Sequence, residues 1–316
     1  RSVLPQDPVP PGGIDPIAIF DRIGFDTLAP LTFSIRMEAE GIRSAIRAGF
    51  TRESVLSRLL MAPPDQVGRA PMPPFLHQNF HQVSTFNWSL SRFYDALERE
   101  IAGLVPQAAI GLGFARMAVT QQLGFDYKTG LLDHLGSGIA IAQESDWEIA
   151  LRTMRLNSDE GSIEEMLAHS QAHPTGGTYS LVALELRNTQ AVSSVLNTLL
   201  SQLGGGVAPQ PEMFREQPLF FPMASLPFVP AEMRQFFGFT FLNDYLLLSI
   251  GHPRMLHRAI EASQDPAARI WETEAFQELR RHLPPDATAM DFTNGPAMAQ
   301  AQNFLRLLLQ DNLSET

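Results

Sequence analysis

Gly238 to Leu242 (GFTFL) and Tyr245 to Ile250 (YLLLSI) are two apolar runs separated only by Asn243-Asp244. Two residues can reverse a chain only as a tight hairpin turn, and Asn and Asp tolerate the positive φ that such turns require. This pair commits the region to an antiparallel sheet.

The same grammar runs through the C-terminal half. Thr178 to Leu186 (TYSLVALEL) reads as a strand, and helical spacing follows from about Gln190 to Leu203 before a glycine stop. Helices are expected at Pro253–Ala262 and Thr273–His282, a strand at Ala287–Phe292, and an apolar helix at Pro296–Gln310. Upstream, Leu31–Glu38 alternates as a half-buried strand, with a second strand through Ile46 and a helix at Glu53–Met61. Val83–Leu90 and Gly138–Gln143 read as strands, and Ser91–Leu104 and Glu164–Ala172 as helices. Ala108–Leu123 is helical and nearly uncharged, which predicts burial in a core. The order strand–helix–strand–strand–helix–strand predicts an α+β fold of mostly antiparallel sheets, with helices packed on one face and split-βαβ-like units. Two sheet-containing halves are expected, 17–150 and 151–316, after a Pro/Gly-rich lead-in at 1–16. Gly-Phe-Asp recurs at Gly24 and Gly124, but three residues do not establish a duplication.

At 316 residues with 44% apolar and 18% charged content, the chain can bury a core and fill about two domains. Its 23 Lys+Arg against 34 Asp+Glu give a formal charge of −11, which argues against a nucleic-acid surface. Lys128 is the only lysine. With no cysteine there is no disulfide, no thiolate metal site and no Cys nucleophile. The longest uncharged stretch, 188–211, is too polar and too interrupted by Gly and Pro to span a bilayer. The chain opens at Arg1 rather than Met, so a preceding segment is expected.

Residues 123–142, LGFDYKTGLLDHLGSGIAIA, and 241–262, FLNDYLLLSIGHPRMLHRAIEA, resemble recurring segments of the bacterial domain of unknown function family 3352. His134 stands where the family pattern has tryptophan or another large residue. The resemblance implies an α+β, envelope-associated bacterial protein and carries over no catalytic residue.

Glu165, His169 and His173 share one helical stripe and are the candidate metal ligands; the alternative is that His173 simply faces the helix C-terminal dipole. His77 and His81 repeat the i, i+4 spacing without the glutamate of a zinc protease. Gly111-Leu-Gly113 lacks the third glycine of a dinucleotide fingerprint, and Gly136-Ser137-Gly138 is not a nucleophile elbow. Asp95, Glu98 and Glu100, like Asp159 and Glu160, read as solvated acids. The segment 209–230 packs six prolines and four phenylalanines into 22 residues. Its Phe214, Phe220, Phe221 and Phe228 are either a partner-binding patch or a cover for the sheet.

With no catalytic constellation and no cofactor motif, and with the Pro/Phe segment as a candidate patch, a non-enzymatic interaction or scaffold module binding a protein partner or a second copy is expected; the resemblance implies that it belongs to the bacterial cell envelope. An apolar small-molecule binder, with a cavity lined by Phe114, Met117, Leu305 and Leu308, is the alternative. A metal-dependent hydrolase using His169 and His173 is the third reading.

Overall fold

The computed structural model describes residues 24–29, 32–38, 41–47, 50–52, 54, 56–57, 70–104, 106–156, 162–203, 210–226, 228–282 and 287–294. Most of the expected helix at 53–61 and all of that at 296–310 lie outside them. The chain forms two compact units, Arg1–Gln66 with Ser91–Ala118, and Val67–Leu90 with Val119–Thr316.

In the first unit β1 (Thr32–Glu38) and β2 (Gly41–Arg47) pair antiparallel with Glu38 opposite Gly41. Buried Thr27 donates from Oγ1 to Ser54 Oγ at 2.9 Å, and Arg52 pairs with Asp26 at 2.7 Å. Most of the helical pair α1 (Leu90–Leu104) and α2 (Pro106–Leu123) belongs here. One expectation is overturned. The described side chains of α2 are not in a core: Ile110, Phe114 and Met117 are 63%, 67% and 55% exposed. Lack of charge alone does not place a helix in a core.

The second unit is built on β3 (Gln82–Asn87), β4 (Leu135–Ser145), β5 (Thr178–Leu186), β8 (Phe237–Leu242), β9 (Tyr245–Ile250) and β10 (Ala289–Thr293). A small hairpin, β6 (Glu212–Phe214) and β7 (Gln217–Leu219), forms a separate sheet beside β8, and a short helix, α3 (Tyr127–Gly130), precedes β4. The six-stranded sheet has the order β10-β3-β4-β5-β9-β8 and is antiparallel throughout. Asn243 and Asp244 form the β8–β9 turn with φ of 49° and 59°, the conformation that the two-residue spacing demands. β5, α6 (Thr189–Leu203) and β8 make a split βαβ unit with β9 inserted between its strands. The sheet takes β3 and β4 from before residue 150 and four strands from after it, so the two compact units do not follow a cut at that position.

Alternation along the strands decides the faces. Val83, Ala140, Ala142, Leu181, Ala183, Leu247, Met290 and Phe292 share one buried face. On that face they join a core with Phe75, Phe80, Leu256, Ile260, Trp271 and Phe276, contributed by the segment before β3, by α7 (Arg254–Gln264) and by the approach to α8 (Glu274–His282) with α8 itself. On the opposite face a smaller cluster ties Leu186, Phe239 and Leu246 to Val192 and Leu200 of α6.

At Gly136-Ser137-Gly138 the β4–β5 register shifts between Leu135 and Ile139. The Ser137 and Gly138 N–H groups donate to Glu185 Oε2 at 3.0 and 2.7 Å. The glycines are there for close approach: a Cβ at 136 would lie 2.5 Å from that oxygen.

Candidate functional site

β4 ends in Glu144 and Ser145, and Asp146 follows as the cap of α4 (Trp147–Arg155), its Oδ1 accepting from the Ile149 N–H at 3.3 Å. Arg254 and Arg258, one turn apart on α7, reach these acids. Arg258 Nη2 donates to Glu144 Oε1 at 2.9 Å, and its Nε lies 2.8 Å from Oε2. Arg254 Nη2 is 3.3 Å from Glu144 Oε1, and its Nη1 donates to Asp146 Oδ2 at 3.4 Å. The Arg254 guanidinium also sits 4.2 Å over the Tyr179 ring. Glu144 is buried, and burial pushes its carboxyl above the ordinary range against the pull of Arg258 and Arg254. A buried carboxylate without these guanidinium groups would carry an uncompensated charge.

His81 stands opposite. Its Nδ1 accepts the Ser145 N–H at 3.1 Å, and its ring stacks on Trp147 with centroids 5.5 Å apart and planes 10° from parallel. Burial, then the charges of Arg258 and Arg254, hold its pKa below the usual value. The ring is therefore neutral near pH 7, and with Nδ1 accepting, its proton is on Nε2. Asn294 follows β10 and closes the rim, donating from its backbone to His81 O at 2.8 Å and from Nδ2 to Gln78 O at 2.7 Å.

These groups surround an open cleft of about 780 Å³. A smaller cavity of about 330 Å³ shares Asp146 and Arg254 with it and is lined by Tyr179 and His252 on its other side. The cleft presents hydrogen-bond donors and paired charges rather than a nucleophile aligned with a base: the one imidazole in it already uses Nδ1 to accept a backbone N–H.

The residues singled out from the sequence are distributed otherwise. Glu165 closes a capping box with Ser162 at the start of α5 (Ile163–Ala172), accepting the Ser162 N–H at 3.0 Å, and that bond holds its carboxyl below the usual range. His169 is buried, with Nε2 2.8 Å from Thr153 Oγ1, and its ring lies 4.9 Å from that of His173, the C-cap residue. Among the described residues no group of three His, Asp or Glu side chains is placed to hold a metal ion.

In the Pro/Phe segment, Phe221 is buried against Gly238 and Leu219 beside it is part of the core. Phe220 stacks on Phe239 at 4.9 Å, and Phe214 stacks on His257 at 4.1 Å. Phe228 alone of the four is largely exposed, at 78%. Phe114 and Met117 are too exposed to line a closed cavity, while Leu305, Leu308, Asp159 and Glu160 lie outside the described residues. His77 and His81 diverge: His77 is buried in the core, its Nδ1 accepting from the Asn79 N–H at 3.0 Å, and only His81 reaches the cleft.

No family model, curated protein or solved structure matches the chain.

Sequence reasoning missed Glu144, Trp147, Arg254 and Arg258. The available signal was Asp146, an N-cap residue directly after a strand, together with two arginines at i, i+4 on an amphipathic helix.

Proposed function

We propose that this chain is a non-enzymatic interaction protein that associates with a second copy of itself through α2. The observation that carries the reading is the exposure of Ile110, Phe114 and Met117, a stripe at i, i+4 and i+7 on a helix whose only charge is Arg116. The same helix supplies the recesses: at Gly111 and Gly113 nothing lies within 4 Å of where a Cβ would stand. Large side chains beside glycines make a surface complementary to its own two-fold copy, as an isologous contact requires. The absence of acidic groups on the helix removes repulsion at the point of contact, although each chain carries a charge of −11. An envelope location in a bacterium belongs to the same proposal and rests on the resemblance of residues 123–142 and 241–262 alone. Among the described residues no helix is long and apolar enough to cross a membrane.

An 18-residue helix is about 27 Å long, so the contact is small and its dissociation constant is expected in the micromolar range, about −8 kcal/mol. Sedimentation equilibrium across that range should show a monomer–dimer equilibrium. Phe114→Glu with Met117→Glu should abolish it and leave the circular dichroism spectrum unchanged, because both positions are exposed. A wild-type chain that stays monomeric throughout, or a dimer untouched by the double variant, overturns the proposal.

A further inference from the structure

The cleft at the end of β4 holds N–H groups that the protein itself does not satisfy. Trp147 Nε1 and Arg254 Nε are both buried and without a hydrogen-bond partner, and both residues line the cleft. Buried donors are ordinarily paired, and an unpaired one costs about 1–3 kcal/mol, so two in a single cleft mark a place for an acceptor. His81 adds a third donor through Nε2, its Nδ1 being occupied by the Ser145 N–H. The donors come from α4, α7 and the segment before β3, three elements fixed to the same sheet.

We propose that this cleft binds a small hydroxylated carboxylate of sugar-acid type, with the carboxylate received by Trp147, Arg254 and His81. Three observations select that class. First, the unpaired donors Trp147 Nε1 and Arg254 Nε call for acceptor oxygens, whereas Glu144 Oε2, the cleft acceptor that also lacks a hydrogen bond, already lies 2.8 Å from Arg258 Nε. Second, the two guanidinium groups are largely answered by Glu144 and Asp146, and Glu274 also lines the cleft. With three carboxylates facing two guanidinium groups, a phosphate dianion is disfavoured more than a monoanion, which the hydrogen-bond donors can receive. Third, the remaining wall is polar and uncharged in Gln78, Asn79, Thr273 and Asn294, which suits hydroxyl groups and not an aliphatic tail. A volume of about 780 Å³ is ample for a ligand of one or two rings.

The test follows the indole N–H resonances of the ¹⁵N-labelled chain during titration with glucuronate, glucose or inorganic phosphate at constant ionic strength. Trp147 is assigned by Trp147→Phe, which keeps a ring against His81 and removes only the donor. Glucuronate should shift the Trp147 indole saturably in the millimolar range and leave Trp271 unmoved, because Trp271 Nε1 already donates to Pro73 O at 2.8 Å. Calorimetry should show glucuronate binding weakened about tenfold by Trp147→Phe, the loss expected for one hydrogen bond to a charged acceptor. An equal response to glucose shows that the carboxylate is not read. A response to phosphate without one to glucuronate assigns the wrong anion. No response to any of them removes the site. Each of these three results overturns the proposal.

Discussion

A methyl group at position 136 has nowhere to go. The Cβ of an alanine there would sit 2.5 Å from Glu185 Oε2 and 2.6 Å from its Cγ, so either the carboxylate leaves the Ser137 and Gly138 N–H groups or β4 shifts. Gly136→Ala is expected to destabilise by about 1–3 kcal/mol in urea titrations. Gly103→Ala, on α1 with nothing within 4 Å, should instead stabilise by up to about 1 kcal/mol. His77 sets a different single-residue effect. Burial and the charge of Arg258, against the opposing pull of Glu261, lower its pKa from 6.5 to about 4. Between those values the unfolded chain takes up a proton that the folded chain refuses, so stability is complete above pH 6.5 and falls as the pH drops toward 4. The loss is on the order of 3 kcal/mol from this side chain alone. His81, His252 and His257, also lowered, act in the same direction. Urea midpoints measured from pH 7 to 4 should show a shallower decline in His77→Asn, whose amide can still accept the Asn79 N–H.

At the scale of elements, the Pro/Phe segment divides into residues that hold the sheet and one that does not. Phe221→Ala removes a ring packed against Gly238 and should cost about 3–5 kcal/mol, whereas Phe228→Ala should stay within about 0.5 kcal/mol. Elements with strong period or punctuation were legible in the sequence. β5 runs from Thr178 to Leu186 as its alternation indicates, and the Asn243-Asp244 turn fixes β8 and β9. α4 was not legible because it follows β4 with a single capping residue, Asp146, and no glycine or proline to announce it. The β6–β7 hairpin was hidden by Pro211 and Pro218, which read as loop; its turn is made by Arg215 and Glu216 at φ of 47° and 69°. In the sequence Lys128 stands out only as the sole lysine. It is buried at 7% exposure and paired with Asp133, so the chain's one lysine is an internal tie of the segment between α2 and β4.

The cleft shows why a site can hide while the elements around it are legible. Its residues span positions 78 to 294 and meet only because β10 pairs with β3 and α7 packs on β5, β9 and β8. Local periodicity carries no information about that strand order. Across the whole sheet, β4 and β5 are paired on both sides and lie inside the larger core, so their amides should be the slowest to exchange with deuterium. β10, at an edge and only five residues long, should be among the first in the sheet to open. Faster exchange in β4 than in β10 would contradict this strand order. The pairing of Ser84 and Gln82 with Asp291 spans 207 and 209 residues. Translation therefore delivers the two partners far apart in time. While the ribosome makes everything from α1 to α8, β3 waits with one row of backbone groups unmatched and without Met290 and Phe292 beside Thr85 and Val83. A nascent chain of this protein offers that row to chaperones, or to its neighbours on the same polysome, until residue 293 has cleared the exit tunnel.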